Sequence, residues 1–340
     1  MQIRQIWCSD KHAMREILEL LNREGLSLDA NLEYTAALYD DAGVLRATAS
    51  FYQNTLRCLA VDRDMQGEGL MAQIVSHLVQ ELFSRGRHHL FVYTKRDAVK
   101  SIAPLGFYEI VSTDKVVFLE NKRDGFGQYI RSLNRPQQAP QRIGAVVMNA
   151  NPFSLGHQHL VEHAASECDA LHLFVVSEDV SAFPFAVRER LVRKGTAHIP
   201  NIFHHSTGPY LVSSATFPSY FISESDVLTL AQARLDAKVF GRIAHDLGIT
   251  DRFVGDEPLS PATALYNLAM SEELPQEGVR LHIIPRIKDS NMEPISSTRV
   301  RAMMKEGRTE ELCDLVPEST YTYIMSDEGK KITEKLRESR

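Results

Sequence analysis

The chain is 340 residues long, with 44% hydrophobic and 24% charged side chains and a formal net charge of −6; that length favours two domains over one, each able to bury its own core. No apolar run approaches the roughly 18 residues needed to cross a bilayer, and the acidic balance argues against a broad nucleic-acid surface while leaving room for a local basic pocket. Cys8, Cys58, Cys168 and Cys313 show no CxxC spacing, so the composition points to reduced thiols rather than to zinc or a disulfide framework.

At the amino end, MQIRQIWCSDKHAMREI has neither the continuous apolar core of a secretory signal nor the Arg-rich, acid-poor character of a transit peptide, and a cytoplasmic protein is expected. Further on, CLAVDRDMQGEGLMAQIVSHLVQELFSRG predicts an apolar strand, a turn at Gly67 and Gly69, and an amphipathic helix with Leu70, Ile74, Leu78 and Leu82 on its buried face. Successive N–H groups from Gln66 to Met71 suit a nest for a pyrophosphate. The stretch HLFVYTKRDAVKSIAPLGFYEI adds a second strand and helix. This combination resembles the GCN5-related N-acetyltransferase (GNAT) fold, of α+β type, whose (Q/R)xxGx(G/A) pattern falls on Gln66, Gly69 and Met71. Methionine at the last position departs from the small residue usual there, and Glu68 brings a like charge toward the phosphates. The resemblance implies that Gln66, Gly67, Gly69 and Met71 receive a coenzyme A-like arm. An active acyl-CoA site and a fold retained for docking alone are both open.

Between Gln128 and Arg142, QYIRSLNRPQQAPQR combines two prolines with several glutamines and little apolar periodicity, which predicts a linker. The expected domains are therefore residues 1–130 and 143–340, joined by 131–142. The second alternates IGAVVM, HLVEHAASEC, LHLFVV, FAVRERLVRKG and IFHH, then a helical stretch around Ala231 to Leu247, then RFVG, PATALYNLAM, RLHIIP and STRVRAMMKEG. Strand and helix in alternation predict an α/β unit with a parallel sheet, whose ligands gather at the carboxyl ends of the strands.

One such end carries NPFSLGHQH. Pro152 disfavours helix at Asn151, Ser154 suits a helix cap, and Gly156 allows close backbone approach. Negative charge is favoured at the helix start, where His157 can donate a hydrogen bond to a phosphate oxygen without acting as a base. A plain helix cap fits the same residues. His159 and His163 have the i, i+4 spacing of a zinc clamp, but no third ligand accompanies them. Far along the chain, PISSTRVRAMMKEGR places Ser296, Ser297 and Thr298 after Pro294 at a helix start, with Arg299 and Arg301 in its first turns. Hydroxyls, free N–H groups and guanidinia suit a polyphosphate and its departing pyrophosphate, although a capped helix with solvated arginines has the same pattern.

The pair SLGH and ISSTRVR resembles the nucleotidyltransferase superfamily with (T/H)xGH and ISSTxxR motifs on a Rossmann-like fold; Ser154 stands where that superfamily has threonine or histidine. The resemblance implies catalytic roles for His157, Arg301 and Ser154, and nucleotide contacts for Asn151, Phe153, Gly156, Ser296, Ser297, Thr298 and Arg299. Lys288 and Arg190 are further candidates for phosphates, with solvated positions the alternative. The SSATF of PYLVSSATFPSYF suits either a carboxylate or arm pocket or a surface loop. His204 and His205 are expected on opposite sides of a strand.

A GNAT-like unit followed by a (T/H)xGH unit, together with VVMNANPFSLGH, LHLFVVSEDVSAFPF, SSATFPSYF and RFVGDEP, resembles the family of citrate (pro-3S)-lyase ligases. That resemblance implies activation of acetate with ATP and Mg²⁺ through acetyl-AMP, releasing pyrophosphate and AMP, with no nucleic acid or membrane partner. The acetyl group would pass to the thiol of the dephospho-coenzyme A-type prosthetic group on the acyl carrier protein of citrate lyase. Alternatives are a nucleotidyltransferase acting on a phosphorylated small molecule, the equivalent ligase for malonate decarboxylase, and a non-catalytic nucleotide-binding protein.

Overall fold

Small and aromatic residues dominate the first strands, TAA in Tyr34–Tyr39 and ATASF in Leu45–Tyr52, and both strands are buried along almost their whole length. The computed structural model describes residues 1–137, 140–211, 217–218, 220–222, 225–256 and 261–338. They form two compact units: Met1–Gln128 with Thr216–Lys238, and Tyr129–Ala215 with Val239–Arg340. The first unit thus includes a segment far beyond the linker expected at 131–142. Ser213–Thr216 of the SSATF stretch, and Glu257 and Pro258 of RFVGDEP, lie outside the described residues.

In the first unit the strands are β1 (Gln2–Ile6), β2 (Tyr34–Tyr39), β3 (Leu45–Tyr52), β4 (Thr55–Val61), β5 (Phe91–Thr94), β6 (Tyr108–Ser112) and β7 (Val117–Glu120). Their order is β1-β2-β3-β4-β5-β7-β6. The glycine turn leads, as expected, into the helix Leu70–Ser84, which buries Leu70, Ile74, Leu78 and Leu82 in a core shared with Ala36, Ala47, Phe51 and Val92. The β3–β4 register shifts between Thr48 and Ser50, opposite Cys58, whose φ is 52°; an irregularity of this kind bends the strand and disrupts its ladder. β4 and β5 then pair in parallel only at Thr55↔Phe91 and Leu56↔Val92. Beyond Leu56 they part, and a cavity of about 700 Å³ reaches from Leu59 and Ala60 to the Gln66–Gly69 turn.

The second unit holds β8 (Ile143–Met148), β9 (Ala170–Val175), β10 (Ile202–Ser206), β11 (Asp251–Gly255) and β12 (Arg280–Ile284) in the order β10-β9-β8-β11-β12. All adjacent pairs are parallel. The order reverses at β8, and in open sheets of this type ligands bind at the carboxyl ends of the strands beside such a reversal. At Gly144 an added Cβ would come within 2.5 Å of the Cys168 sulfur, so glycine lets the chain after the helix Leu155–Ser166 close against β8. No helix among the described residues is long and apolar enough to cross a membrane.

At the opposite ends of the strands the buried Asp251 carboxylate accepts hydrogen bonds from Thr250 (2.7 Å), His282 (2.7 Å), Arg280 (3.0 Å) and Arg142 (3.2 Å). Burial works to raise its pKa, but these four donors outweigh burial and hold the carboxyl well below the usual carboxylate range. A folded pKa below the unfolded one adds stability that is complete above the unfolded value and is lost as pH falls through the folded one. Acid should therefore weaken this unit at pH values below about 4, and Asp251→Asn should be less stable at neutral pH with a shallower acid dependence. Urea-unfolding midpoints across that range measure both; parallel pH profiles for the two proteins would contradict the assignment.

Candidate active site

Strand β8 ends at Met148, and the turn behind it is held from below by Arg188. This buried guanidinium donates to the backbone oxygens of Asn149 (2.8 Å), Val176 (2.8 Å), Phe183 (2.9 Å) and Glu178 (2.5 Å), and to Asn149 Oδ1 (2.9 Å). The fixed fork of arginine suits such a cluster of carbonyls. Asn151 Oδ1 accepts from the Phe183 N–H at 3.0 Å. Arg190, singled out in the sequence, is half exposed, 3.6 Å from Glu328 and stacked over Tyr323.

Ser154 caps the helix Leu155–Ser166: its Oγ accepts from His157 N, while His157 Nδ1 accepts from Ser154 N at 3.1 Å. A reciprocal cap of this type normally uses a glutamate or glutamine at the third helical position; here histidine takes that place. Because Nδ1 accepts from a backbone N–H, the neutral ring carries its proton on Nε2, which leaves Nε2 as a donor. Burial, then the neighbouring Arg286 and Arg301, push the imidazole pKa down to about 4, so the ring is neutral at pH 7. Phe153 is fully buried, its ring nearly parallel to that of His157 at 5.8 Å and so close to Gly195 that a Cβ there would lie 2.4 Å away. It therefore acts as a backing for the histidine.

The second motif closes over this turn. Ser296 caps the helix Ser297–Glu306 by accepting from Arg299 N at 3.2 Å. Ser297 Oγ donates to Pro152 O at 2.8 Å, and Arg301 donates to Asn151 O and to Thr298 Oγ1. A Cβ on Gly156 would meet Ile295 O at 2.7 Å, so the close approach allowed by glycine is between the two motifs themselves. Leu155 N donates to Leu315 O, and with His157 N bound to Ser154 Oγ, two N–H groups of the first helix start are engaged within the protein. The first-turn N–H groups of Ser297 and Thr298 have no acceptor within their own helix.

Of the other sequence candidates, Arg299 is drawn to Asp289 and Glu293, and that arginine helps hold the Asp289 carboxyl below its ordinary range. Lys288 is exposed and forms a backbone bridge to Pro294. Arg286, which sequence reasoning missed, follows β12, donates through Nε to Asp256 O at 2.7 Å and lies near His157; its basic position in the loop before ISSTRVR was the only available signal. His204 contacts Thr196 (2.9 Å) and His205 contacts His172 (2.8 Å). Among the described residues no three His, Cys, Asp or Glu side chains gather to hold a metal ion.

In the first unit, Gly67 (φ 93°) and Gly69 (φ 76°) adopt left-handed conformations, and Gly69 precedes the helix Leu70–Ser84 without any side-chain cap. Gln66, Gly67, Gly69 and Met71 all line the cavity, as does Lys95. The Gln66 amide reaches Glu24 at 3.4 Å.

Two predictions test these placements. Arg188→Ala should lower unfolding stability by about 3 kcal/mol, a buried charged network being lost, whereas Arg190→Ala should stay within about 0.5 kcal/mol; equal effects in urea titrations would contradict the contrast. In ¹⁵N–¹H spectra His157 should titrate well below pH 6 and show the Nε2–H tautomer. A midpoint near the ordinary histidine value, or an Nδ1–H tautomer, would refute the donor geometry.

Comparison with known proteins agrees with the two-part reading. A family model described as the citrate lyase ligase C-terminal domain matches residues 143–324, and one for the acetyltransferase (GNAT) family matches residues 1–109. The citrate (pro-3S)-lyase ligase of Klebsiella pneumoniae is 37% identical over 321 residues, covering 93% of this chain and 94% of that protein. Its counterpart from Escherichia coli (strain K12) is 36% identical over 325 residues, covering 94% and 92%. This protein has a GNAT-like unit followed by an α/β unit with an all-parallel sheet, and it belongs to the citrate (pro-3S)-lyase ligase family.

Proposed function

We propose that the chain activates citrate lyase by acetylating the thiol of the dephospho-coenzyme A-type group on its acyl carrier protein, with acetate and ATP as substrates and acetyl-AMP as the intermediate. The observation that carries this reading is the interlock of SLGH with ISSTRVR at the carboxyl end of β8. It brings a neutral imidazole with a free Nε2 donor together with Arg301, Arg286 and the uncapped N–H groups of a second helix start. Such a set favours polyphosphate and stabilises charge that develops on it.

An acetate oxygen attacks the α-phosphorus, forming a phosphorus–oxygen bond as the bond to the β-phosphate bridge breaks and pyrophosphate leaves. His157 donates a hydrogen bond to a phosphate oxygen and keeps its proton, since no proton must be removed from acetate. Arg301 and Arg286 offset the charge on the departing group. Catalysis here is mainly positioning and electrostatics, as in phosphoryl transfer generally. Mg²⁺, carried by the phosphates, would add further charge neutralisation. The carrier thiol then attacks the acetyl carbonyl carbon, AMP leaves, and the thiol proton passes to solvent. The cavity of the first unit, with its glycine turn and Lys95 at one end, suits the carrier's arm.

Acetate-dependent exchange of pyrophosphate into ATP tests the reading. Exchange should require acetate and fall by roughly 10²–10³ in His157→Ala, the typical loss for one transition-state donor. Exchange that ignores acetate would replace it with the nucleotidyltransferase alternative. No exchange despite ATP binding, even with the carrier present, would overturn it.

A further inference from the structure

The cavity of the first unit has an inner wall that the amino-terminal sequence does not supply. Phe217, Tyr220 and Phe221, from a segment that the chain adds to this unit only after the first part of the second, are 4%, 2% and 5% exposed. Tyr220 and Phe221 line the cavity together with Leu59, Ala60, Thr94 and Leu105.

Strand register locates this wall. The last β4–β5 pair is Leu56↔Val92, and the next residue of β5, Tyr93, offers its carbonyl to the Tyr220 hydroxyl at 2.7 Å. Tyr220 therefore stands at the point where the strands part. The glycine turn lies past Val61, the other end of β4, so the length between them is on the order of 13 Å at strand rise. Tyr220 is also held by its backbone, its carbonyl accepting from Ser27 N (2.7 Å) and Ser27 Oγ (3.2 Å). Phe221 meets its ring edge-on at 5.0 Å, and Phe217 meets Tyr93 at 5.3 Å. Held at its hydroxyl and at its backbone carbonyl, and packed by Phe221, the ring has little room to yield.

Neither the Tyr220 hydroxyl nor the Cys58 thiol is set up to react. Burial pushes the Tyr220 hydroxyl well up, and its proton is committed to the Tyr93 carbonyl. Cys58 is buried beside it in sequence register, accepts from the Asp29 N–H at 3.4 Å, and has its thiol pushed up to about 12 by burial. A wall that is rigid, apolar and unreactive measures what reaches it.

We propose that Tyr220, backed by Phe221, closes the inner end of this cavity and gauges the acyl group on a thiol-ended arm, admitting the free thiol and its acetyl thioester and excluding longer chains. The proposal rests on the reading that the cavity receives the carrier's arm, and it makes Tyr220 a positioning residue that sets acyl specificity rather than an acid.

Binding of dephospho-coenzyme A and of its S-acetyl and S-butyryl thioesters to the full chain, by calorimetry, separates the two ideas. The wild-type protein should bind the first two with similar affinity and the butyryl form at least about tenfold more weakly, the scale of a steric mismatch of a few methylenes. Tyr220→Ala should narrow that ratio toward unity, and Tyr220→Phe should keep it, because the ring remains. A general loss of packing would weaken all three ligands alike and leave the ratio unchanged. Should Tyr220→Ala not fold, Phe221→Ala should narrow the ratio in the same direction. Binding with no acyl discrimination in the wild type, or a ratio untouched by both alanine variants, would overturn the gauge while leaving the arm site intact. Failure of all three ligands to bind would instead overturn the arm site itself.

Discussion

The second unit depends on two backbone carbonyls, those of Asn151 and Pro152, which receive donors from Arg301 and Ser297. A turn at the end of a buried strand exposes carbonyls that need partners, and here the partners come from a helix about 150 residues away in the chain. The approach of Ile295 O requires the glycine at position 156. Each of the two motifs is thereby a structural support for the other.

This arrangement also distributes charge. Asp289 and Glu293 engage Arg299, which removes one cation from the crevice, while Arg286 and Arg301 remain near His157 and add to the burial that keeps it neutral. A neutral imidazole with its acceptor nitrogen engaged has one use, donation through Nε2. The field of two guanidinia without a charged histidine suits an anion whose charge shifts during reaction, because a donor that does not exchange protons needs no matching of pKa to the working pH.

In the first unit the governing feature is the parting of β4 from β5 after two pairs. A gap in a sheet leaves unpaired backbone groups and exposed apolar faces, and both must be covered. Tyr220 covers the inner end with a hydroxyl for the Tyr93 carbonyl and a ring for the apolar wall. The outer end remains lined by the glycine turn and Lys95. An aromatic ring with a committed hydroxyl at one end and a glycine turn before an uncapped helix start at the other give the two ends of the cavity different chemistry.

Local pattern was enough for a good part of this. The amphipathic helix after Gly69, the strand–helix alternation after Ile143, the Ser154 cap and the Ser296 cap were all legible, because each is set by neighbours within a turn or two. Only the resemblance to (T/H)xGH nucleotidyltransferases, not any spacing, joined SLGH to ISSTRVR as one site. What short-range reasoning could not assign was which arginine does what: Arg188 and Arg190 differ by two residues on one helix, yet one is buried under five acceptors and the other faces Glu328. Likewise Arg299 and Arg301 point to different partners, and Arg286 and Tyr220 acquire their places only when distant segments meet. The sequence by itself determined the elements and the kinds of chemistry present, since propensity, capping and hydrophobic period act locally. The tertiary structure alone decided which donors are engaged and which face a ligand, since hydrogen-bond partners and burial arise from contacts that no local pattern encodes.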